Sequence, residues 1–165
     1  MKRIIIVVFF SIVLFANINL NKLPNNTKID ALIVYKSERK LIAFSKGKII
    51  KTYSIALGKS PIGAKQFQGD NKTPEGIYFI NGKNAHSIAY KNLGISYPNA
   101  KDISNSKGKP TGGDIKIHGL MNYLWFIGNF HGLSDWTNGC IAVNNFEMDE
   151  LYNSVITGTR IEIRP

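Results

Sequence analysis

Hydrophobic and polar residues alternate along much of the chain after its first 28 residues. Three short apolar segments, at 31–35, 41–44 and 49–57, are separated by short polar turns. Alternation with a period of two is typical of strands that bury one face. The pattern therefore predicts a β-meander at the start of the folded region.

Glycine and proline divide the middle of the chain into shorter pieces. The residues at 73–76, Thr-Pro-Glu-Gly, predict a tight turn that leads into a strand at 77–80. The region 81–113 has weak periodicity and is predicted as a loop with short strands. Polar and apolar residues alternate again at 114–117, so His118 should stand at the end of a strand.

A helix is predicted near the C-terminus. Asn144 and Glu147 have the spacing of a capping box, in which each side chain caps the backbone of the other. Three side chains should face the core: Phe146, Leu151 and Val155. A last strand follows at 159–164. The predicted fold is mainly β, a β-sandwich or partly open barrel with one helix near the C-terminus.

The first 20 residues differ from the rest of the chain. Two basic residues precede an apolar run that is shorter than a typical membrane-spanning helix, and asparagines follow it. We predict an export signal peptide or an uncleaved N-terminal anchor at 1–20, a polar linker at 21–28 and one folded domain at 29–165. The protein is then exported to the periplasm or cell envelope, and only an uncleaved segment would bring it to a membrane.

Composition and charge narrow the functional classes. The chain is 44% hydrophobic and 19% charged, which is ordinary for a globular protein. Its net charge of +10 comes from scattered lysines, without an arginine-rich helix or a stacking-aromatic motif, so nucleic acid is not the expected partner. An anionic polymer of the cell envelope and a general lysine bias explain the charge equally well.

Cys140 is the only cysteine of the chain and cannot form an internal disulfide. Exported proteins usually pair their cysteines or lack them, so a buried structural cysteine and a catalytic thiol are the two alternatives. A catalytic thiol needs a base, and a histidine supplies one near neutral pH. His118 has the better setting, at a strand end, and His131 is the second candidate. No metal or cofactor is predicted, because zinc-ligand spacings are missing.

The residues before the cysteine suit acyl transfer. In Thr137-Asn138-Gly139-Cys140 the glycine allows a tight turn. The backbone N–H groups of Gly139 and Cys140 could then face a developing oxyanion.

Two segments resemble the signature of the YkuD-type, ErfK/YbiS-like L,D-transpeptidases. They are Ile117–Gly119, a histidine followed by glycine, and Thr137–Ile141, a threonine two residues before Gly-Cys and an aliphatic residue. The 18 residues between the histidine and the threonine are about one more than usual. Four weaker segments look like the family in the same order: Ala56–Gly58, Gly69–Asp70, Thr73–Gly76 and Gly94–Pro98.

The resemblance implies a penicillin-insensitive thiol acyltransferase that acts on peptidoglycan stem tetrapeptides. Cys140 would attack the L-centre carbonyl of the third stem residue, D-alanine would leave, and an amine, including one on a wall-linked protein, would resolve the thioester. His118 would act as base and acid, and the carbonyl of Gly119 would orient its ring. Five further site residues are expected, three to bind the oxyanion or substrate and two in secondary roles: Thr137, Asn138, Gly139, His131 and Trp136.

The chain departs from the family at two positions, and other functions remain open. Asn138 stands where histidine is frequent, and Ala142 stands where many relatives have arginine. An L,D-carboxypeptidase or hydrolase, in which water replaces the amine, and a non-catalytic wall-binding module are the alternatives. A papain-like protease does not fit, because its cysteine precedes its histidine.

Overall fold

The computed structural model describes residues 22–165, and the predicted export segment lies outside them. The strands are β1 (Ile29–Tyr35), β2 (Lys40–Ser45), β3 (Lys48–Ser54), β4 (Gly76–Ser87), β5 (Tyr90–Ile95), β6 (Lys116–His118), β7 (Ile141–Ala142) and β8 (Val155–Arg164). The helices are α1 (Ala100–Asn105) and α2 (Asn145–Ser154), and a 3-10 segment spans Asn122–Leu133.

The eight strands form one sheet in the order β3-β2-β1-β8-β4-β5-β6-β7, which curls into a half-barrel. The β1–β8 and β6–β7 pairs are parallel, and the other neighbours are antiparallel. The prediction of a mainly β, partly open barrel with a helix near the C-terminus is confirmed. Within residues 22–165, no helix is long and apolar enough to cross a membrane.

The core lies inside the curl of the sheet. Strand β1 buries Leu32 and Val34, and its parallel neighbour β8 buries Ile161 and Ile163. Because alternate strand residues point to opposite faces, this spacing of two gives each strand one core face. Helix α2 packs against this core through Leu151 and other apolar side chains.

The structure confirms the capping box of α2 and corrects one of its core residues. The Asn144 side chain accepts from the Glu147 N–H, and the Glu147 side chain accepts from the Asn144 N–H. Phe146, predicted to face the core, is 85% exposed, and Met148 is buried instead. Leu151 follows Phe146 by five residues, which is one full turn of the helix plus roughly 140°. Phe146 therefore lies on a different face from Leu151.

The middle of the chain is more regular than its sequence indicates. Strand β4 continues to Ser87 and pairs with β5, and helix α1 follows, capped by Asn99 and Asp102. Glycines in both strands of this hairpin weakened the alternation on which the prediction depends. The connection between β6 and β7, which had no clear pattern, contains the 3-10 segment.

Candidate active site

The turn that carries Cys140 is held on both sides by the segment that follows β3. After the cysteine, Ala142 exchanges two backbone hydrogen bonds with Ala56, at 3.0 and 2.8 Å. Before the cysteine, the Thr137 carbonyl accepts from the Lys59 N–H at 3.0 Å. These contacts fix both ends of the turn, so the thiol has a defined position relative to the sheet.

Thr137 fixes the inside of the same turn. Its hydroxyl donates to the Cys140 carbonyl at 2.7 Å and accepts from the Gly139 N–H at 3.1 Å. The Cys140 N–H has no hydrogen-bond partner among residues 22–165. Of the two amides expected to face an oxyanion, that of Gly139 is already engaged and that of Cys140 is free to donate.

Gly139 is required by its conformation and by its neighbour. Its φ of +132° lies where residues with side chains are rarely found. A Cβ on this residue would lie 2.7 Å from the carbonyl oxygen of Lys72. The glycine therefore lets the loop before β4 pack directly against the turn of Cys140.

His118 ends strand β6, and its ring has a defined tautomer. The distance from Nδ1 to the Gly119 carbonyl oxygen is 2.7 Å. Because a carbonyl only accepts, Nδ1 must carry the hydrogen, and Nε2 of the neutral ring keeps its lone pair. The ring of Trp136 meets this imidazole edge-on, with centroids 5.6 Å apart and an interplanar angle of 69°. Two contacts thus orient a buried imidazole.

Strand pairing relates the histidine to the cysteine. His118 pairs with Ala142 in the parallel β6–β7 ladder, and Cys140 precedes Ala142 by two residues. Cys140 lies one residue outside the two-residue strand β7, so this pairing brings its backbone alongside β6. Its thiol lies near the backbone of Asp114 and Lys116, in the segment that leads to His118.

Burial disfavours the charged form of both groups. It raises the pKa of the Cys140 thiol, although the Lys116 backbone N–H and ammonium group act in the opposite direction. It lowers the pKa of His118, against the effect of the Gly119 carbonyl. The Cys140 thiol donates to the Asp114 carbonyl, with Sγ 3.6 Å from the oxygen. Both shifts disfavour the charged forms, the thiolate of Cys140 and the imidazolium of His118.

The remaining predicted residues occupy different environments. Asn138 is exposed, and its side-chain oxygen accepts from the Lys59 ammonium at 3.3 Å. His131 is buried in the 3-10 segment, where its Nε2 lies 4.0 Å from Glu147 Oε2 at the start of α2. Its Nδ1 has no hydrogen-bond partner among residues 22–165. Burial lowers the pKa of His131.

The sequence did not reveal an ion pair that anchors this site. Asp135 accepts from the Leu57 N–H at 2.9 Å and from the Arg39 guanidinium, whose Nη2 lies 2.7 Å from Oδ2. The arginine stands in the turn after β1, 96 residues away, so no local pattern connects the two. Within the described residues, no cluster of histidine, cysteine and acidic side chains could hold a metal.

Comparison with known proteins shows which family the chain resembles. YafK of Escherichia coli K12, which carries a provisional L,D-transpeptidase name, is 30% identical over 139 residues, covering 80% of this chain and 49% of YafK. The chain thus spans about half the length of the curated relatives it matches.

Two solved structures have the same fold. The helical cell shape determining protein Pgp2 of Campylobacter jejuni has a TM-score of 0.63 at 23% identity, covering 86% of this chain and 52% of Pgp2. Bd1075 of Bdellovibrio bacteriovorus has a TM-score of 0.59 at 26% identity, covering 84% and 48%. The model of the L,D-transpeptidase catalytic domain family YkuD matches residues 29–163. The chain therefore belongs to the YkuD family of L,D-transpeptidase catalytic domains.

Proposed function

We propose that this chain is an exported cysteine acyltransferase that acts on peptidoglycan stem tetrapeptides in the cell envelope. Family membership supports the reaction class. The observation that carries the assignment of roles is the His118 tautomer, because the Gly119 carbonyl leaves Nε2 as a free base. The pairing of His118 with Ala142, two residues after Cys140, supports a thiol beside this base.

The proposed reaction begins with attack of the Cys140 sulfur on the carbonyl of the third stem residue. The thiol proton passes to Nε2 of His118 as the carbon–sulfur bond forms. The free N–H of Cys140 donates to the resulting oxyanion. The carbon–nitrogen bond then breaks, the imidazolium protonates the leaving amine, and D-alanine departs from a thioester.

The second half of the reaction returns the enzyme to its starting state. An amine acceptor attacks the thioester, and the neutral ring of His118 takes one proton from it. The carbon–sulfur bond breaks, and the departing sulfur of Cys140 receives that proton from the ring. If water replaces the amine, the same steps give a carboxypeptidase, and the products separate these two functions.

The raised pKa of the Cys140 thiol has a consequence for control of the nucleophile. A thiol with a raised pKa reacts slowly with small electrophiles, because the thiolate is the reactive form. Proton transfer must therefore accompany attack on a bound carbonyl. In this proposal Cys140 becomes a good nucleophile only when a substrate places its carbonyl beside both groups.

The proposal is tested by incubating the purified chain with defined tetrapeptide muropeptides, with and without an amine acceptor, and identifying products by mass. We expect release of D-alanine and, with acceptor, a new amide product. Cys140→Ala is the matched control and should release no D-alanine. A folded wild-type chain that releases none, or a variant that releases as much as wild type, would contradict the proposal.

A further inference from the structure

The 3-10 segment between β6 and β7 exposes a group of large apolar side chains to solvent. Five of its residues are between 67% and 81% exposed: Tyr123, Trp125, Phe126, Phe130 and Leu133. We call these five side chains the aromatic surface. A single exposed apolar residue is ordinary, but five within one short segment mark an interaction surface. None of the five has a role in the reaction proposed above.

Hydrogen bonds hold this segment against its neighbours at two points. The Asn122 side chain accepts from the Tyr90 N–H at 3.0 Å and donates to the Ser87 carbonyl at 3.1 Å, at the tip of the β4–β5 hairpin. The Asn129 side chain accepts from the Asn144 side chain at 2.6 Å, just before α2. The aromatic surface therefore belongs to a fastened segment, and its exposure is a property of the fold.

Two further exposed side chains extend the apolar area onto these neighbours. Ile88, at the hairpin tip, is 78% exposed, and its carbonyl accepts from the Asn122 N–H at 3.1 Å. Phe146, whose exposure the sequence did not predict, stands in the first turn of α2, two residues after Asn144. Three elements thus contribute large apolar side chains to the same region.

The aromatic surface offers few groups that could bind a polar ligand. Residues 119–134 include no lysine, arginine, aspartate or glutamate. The side chains of Asn122 and Asn129 already make hydrogen bonds, and His131 is buried. A glycan or a peptide needs hydrogen-bond partners for the groups that binding removes from water. A lipid bilayer has an apolar region without such groups, and tryptophan and tyrosine are enriched where it meets water.

The path of the chain brings its apolar N-terminal sequence to the same part of the domain. Leu23 is buried, and its N–H donates to the Glu150 carboxylate on α2 at 3.1 Å. Glu150 lies about one turn after Glu147, whose Oε2 is 4.0 Å from Nε2 of His131 in the 3-10 segment. The apolar run that ends at Ala16 precedes Leu23 by seven residues, which span at most about 25 Å. A bilayer that binds this run would lie within reach of the aromatic surface.

We propose that the aromatic surface lies in the interface of an anionic lipid bilayer. The net charge of +10 favours approach to anionic headgroups, and Lys22 is exposed beside Leu23. The 3-10 segment would then face lipid, and the reaction proposed at Cys140 would take place close to the membrane. The inference goes beyond that reaction and does not depend on it, because the two use different side chains.

Trp125 is a natural probe of this contact, because the chain has only two tryptophans. The other, Trp136, is replaced by phenylalanine, and the full chain is mixed with vesicles of phosphatidylethanolamine and phosphatidylglycerol. Lipids with brominated acyl chains quench a tryptophan that contacts them. An interfacial apolar face lies roughly 5–10 Å into the boundary of headgroups and acyl chains, so brominated lipids should reduce Trp125 emission about twofold or more.

The matched control carries its only tryptophan at position 62, by Ile62→Trp in a protein with Trp125→Phe and Trp136→Phe. Ile62 is 87% exposed, and the carbonyl of the next residue, Gly63, accepts from Lys36 after the end of β1. Helix α2 leads into the start of β8, which runs parallel to β1. Ile62 therefore lies at the opposite end of the sheet from α2, and brominated lipids should leave its replacement unquenched.

Both proteins keep the same N-terminal sequence, so the comparison separates lipid contact at the aromatic surface from binding through that sequence alone. In the Trp125 protein, Phe126→Ser with Phe130→Ser should remove most of the quenching, and Ile62→Ser should leave it unchanged. Circular dichroism checks that each variant is folded. Unquenched Trp125, equal quenching at positions 62 and 125, or protection of Trp125 from acrylamide without vesicles, as by a second copy of the chain, would overturn the inference.

Discussion

Thr137→Val would remove one hydroxyl that makes two hydrogen bonds inside the turn before Cys140. The variant loses the bond to the Cys140 carbonyl, at 2.7 Å, and the bond from the Gly139 N–H, at 3.1 Å. Valine has nearly the shape of threonine, so the change creates little cavity. The loss should therefore report on the hydrogen bonds themselves.

The expected cost follows from the burial of this residue. Thr137 is 5% exposed, so water has little access to replace the hydroxyl. A neutral hydrogen bond contributes about 0.5–1.5 kcal/mol net to stability, and two of them give a loss of about 2 kcal/mol in the free energy of unfolding. For a domain of this size that loss lowers Tm by about 6–8 °C.

Urea unfolding of the wild type, Thr137→Val and Thr137→Ser would measure this cost. Serine keeps the hydroxyl and loses only a methyl group, so it should cost less than half as much as valine. A valine variant within about 0.5 kcal/mol of wild type, or a serine variant that loses as much as valine, would refute the assigned role of the hydroxyl.

Four further predictions concern the charges and the thiol of the site. The imidazole must be neutral to accept a proton, and burial lowers the pKa of His118 from its ordinary value of 6.5, so kcat/KM should rise with pH below 6.5. Burial raises the pKa of the Cys140 thiol from its ordinary value of 9.0, so kcat/KM should fall above 9.0. Lys116→Gln should move both limbs to higher pH, since the lysine charge lowers both pKa values; unmoved limbs would contradict this. A carbapenem should add once to the intact mass of wild type and not to that of Cys140→Ala, and an adduct on the variant would point to another nucleophile. Asp135→Asn should lower the free energy of unfolding in urea by about 1 kcal/mol, a small value because the Arg39 side chain is 36% exposed. An unchanged free energy of unfolding would show that solvent screens the pair.

Local patterns in the sequence predicted the features that depend on neighbouring residues. The spacing of two predicted the first strands, and Asn144 with Glu147 predicted the start of α2, because a capping box needs only one helical turn. The strand end at His118 was also predicted from alternation. Phe146 was placed wrongly, because its hydrophobicity was considered without its angle around the helix.

Features that depend on distant residues could not be predicted. Arg39 pairs with Asp135, and Lys36 forms an ion pair with Glu75 that also joins separate segments. The residues around Arg39 and Lys36 in the sequence do not indicate these partners. Gly82 and Gly94, which pair in the β4–β5 hairpin, hid the alternation of those strands.

Intact-mass measurement of the acyl-enzyme tests the central claim most directly. Wild-type protein mixed with a stem tetrapeptide and quenched in acid within seconds should carry one adduct, with the mass of the tetrapeptide minus that of alanine. Peptide mapping should locate the adduct on Cys140, and Cys140→Ala should carry none. Release of D-alanine at the wild-type rate by the folded Cys140→Ala variant, or an adduct located on any other residue, would contradict the account.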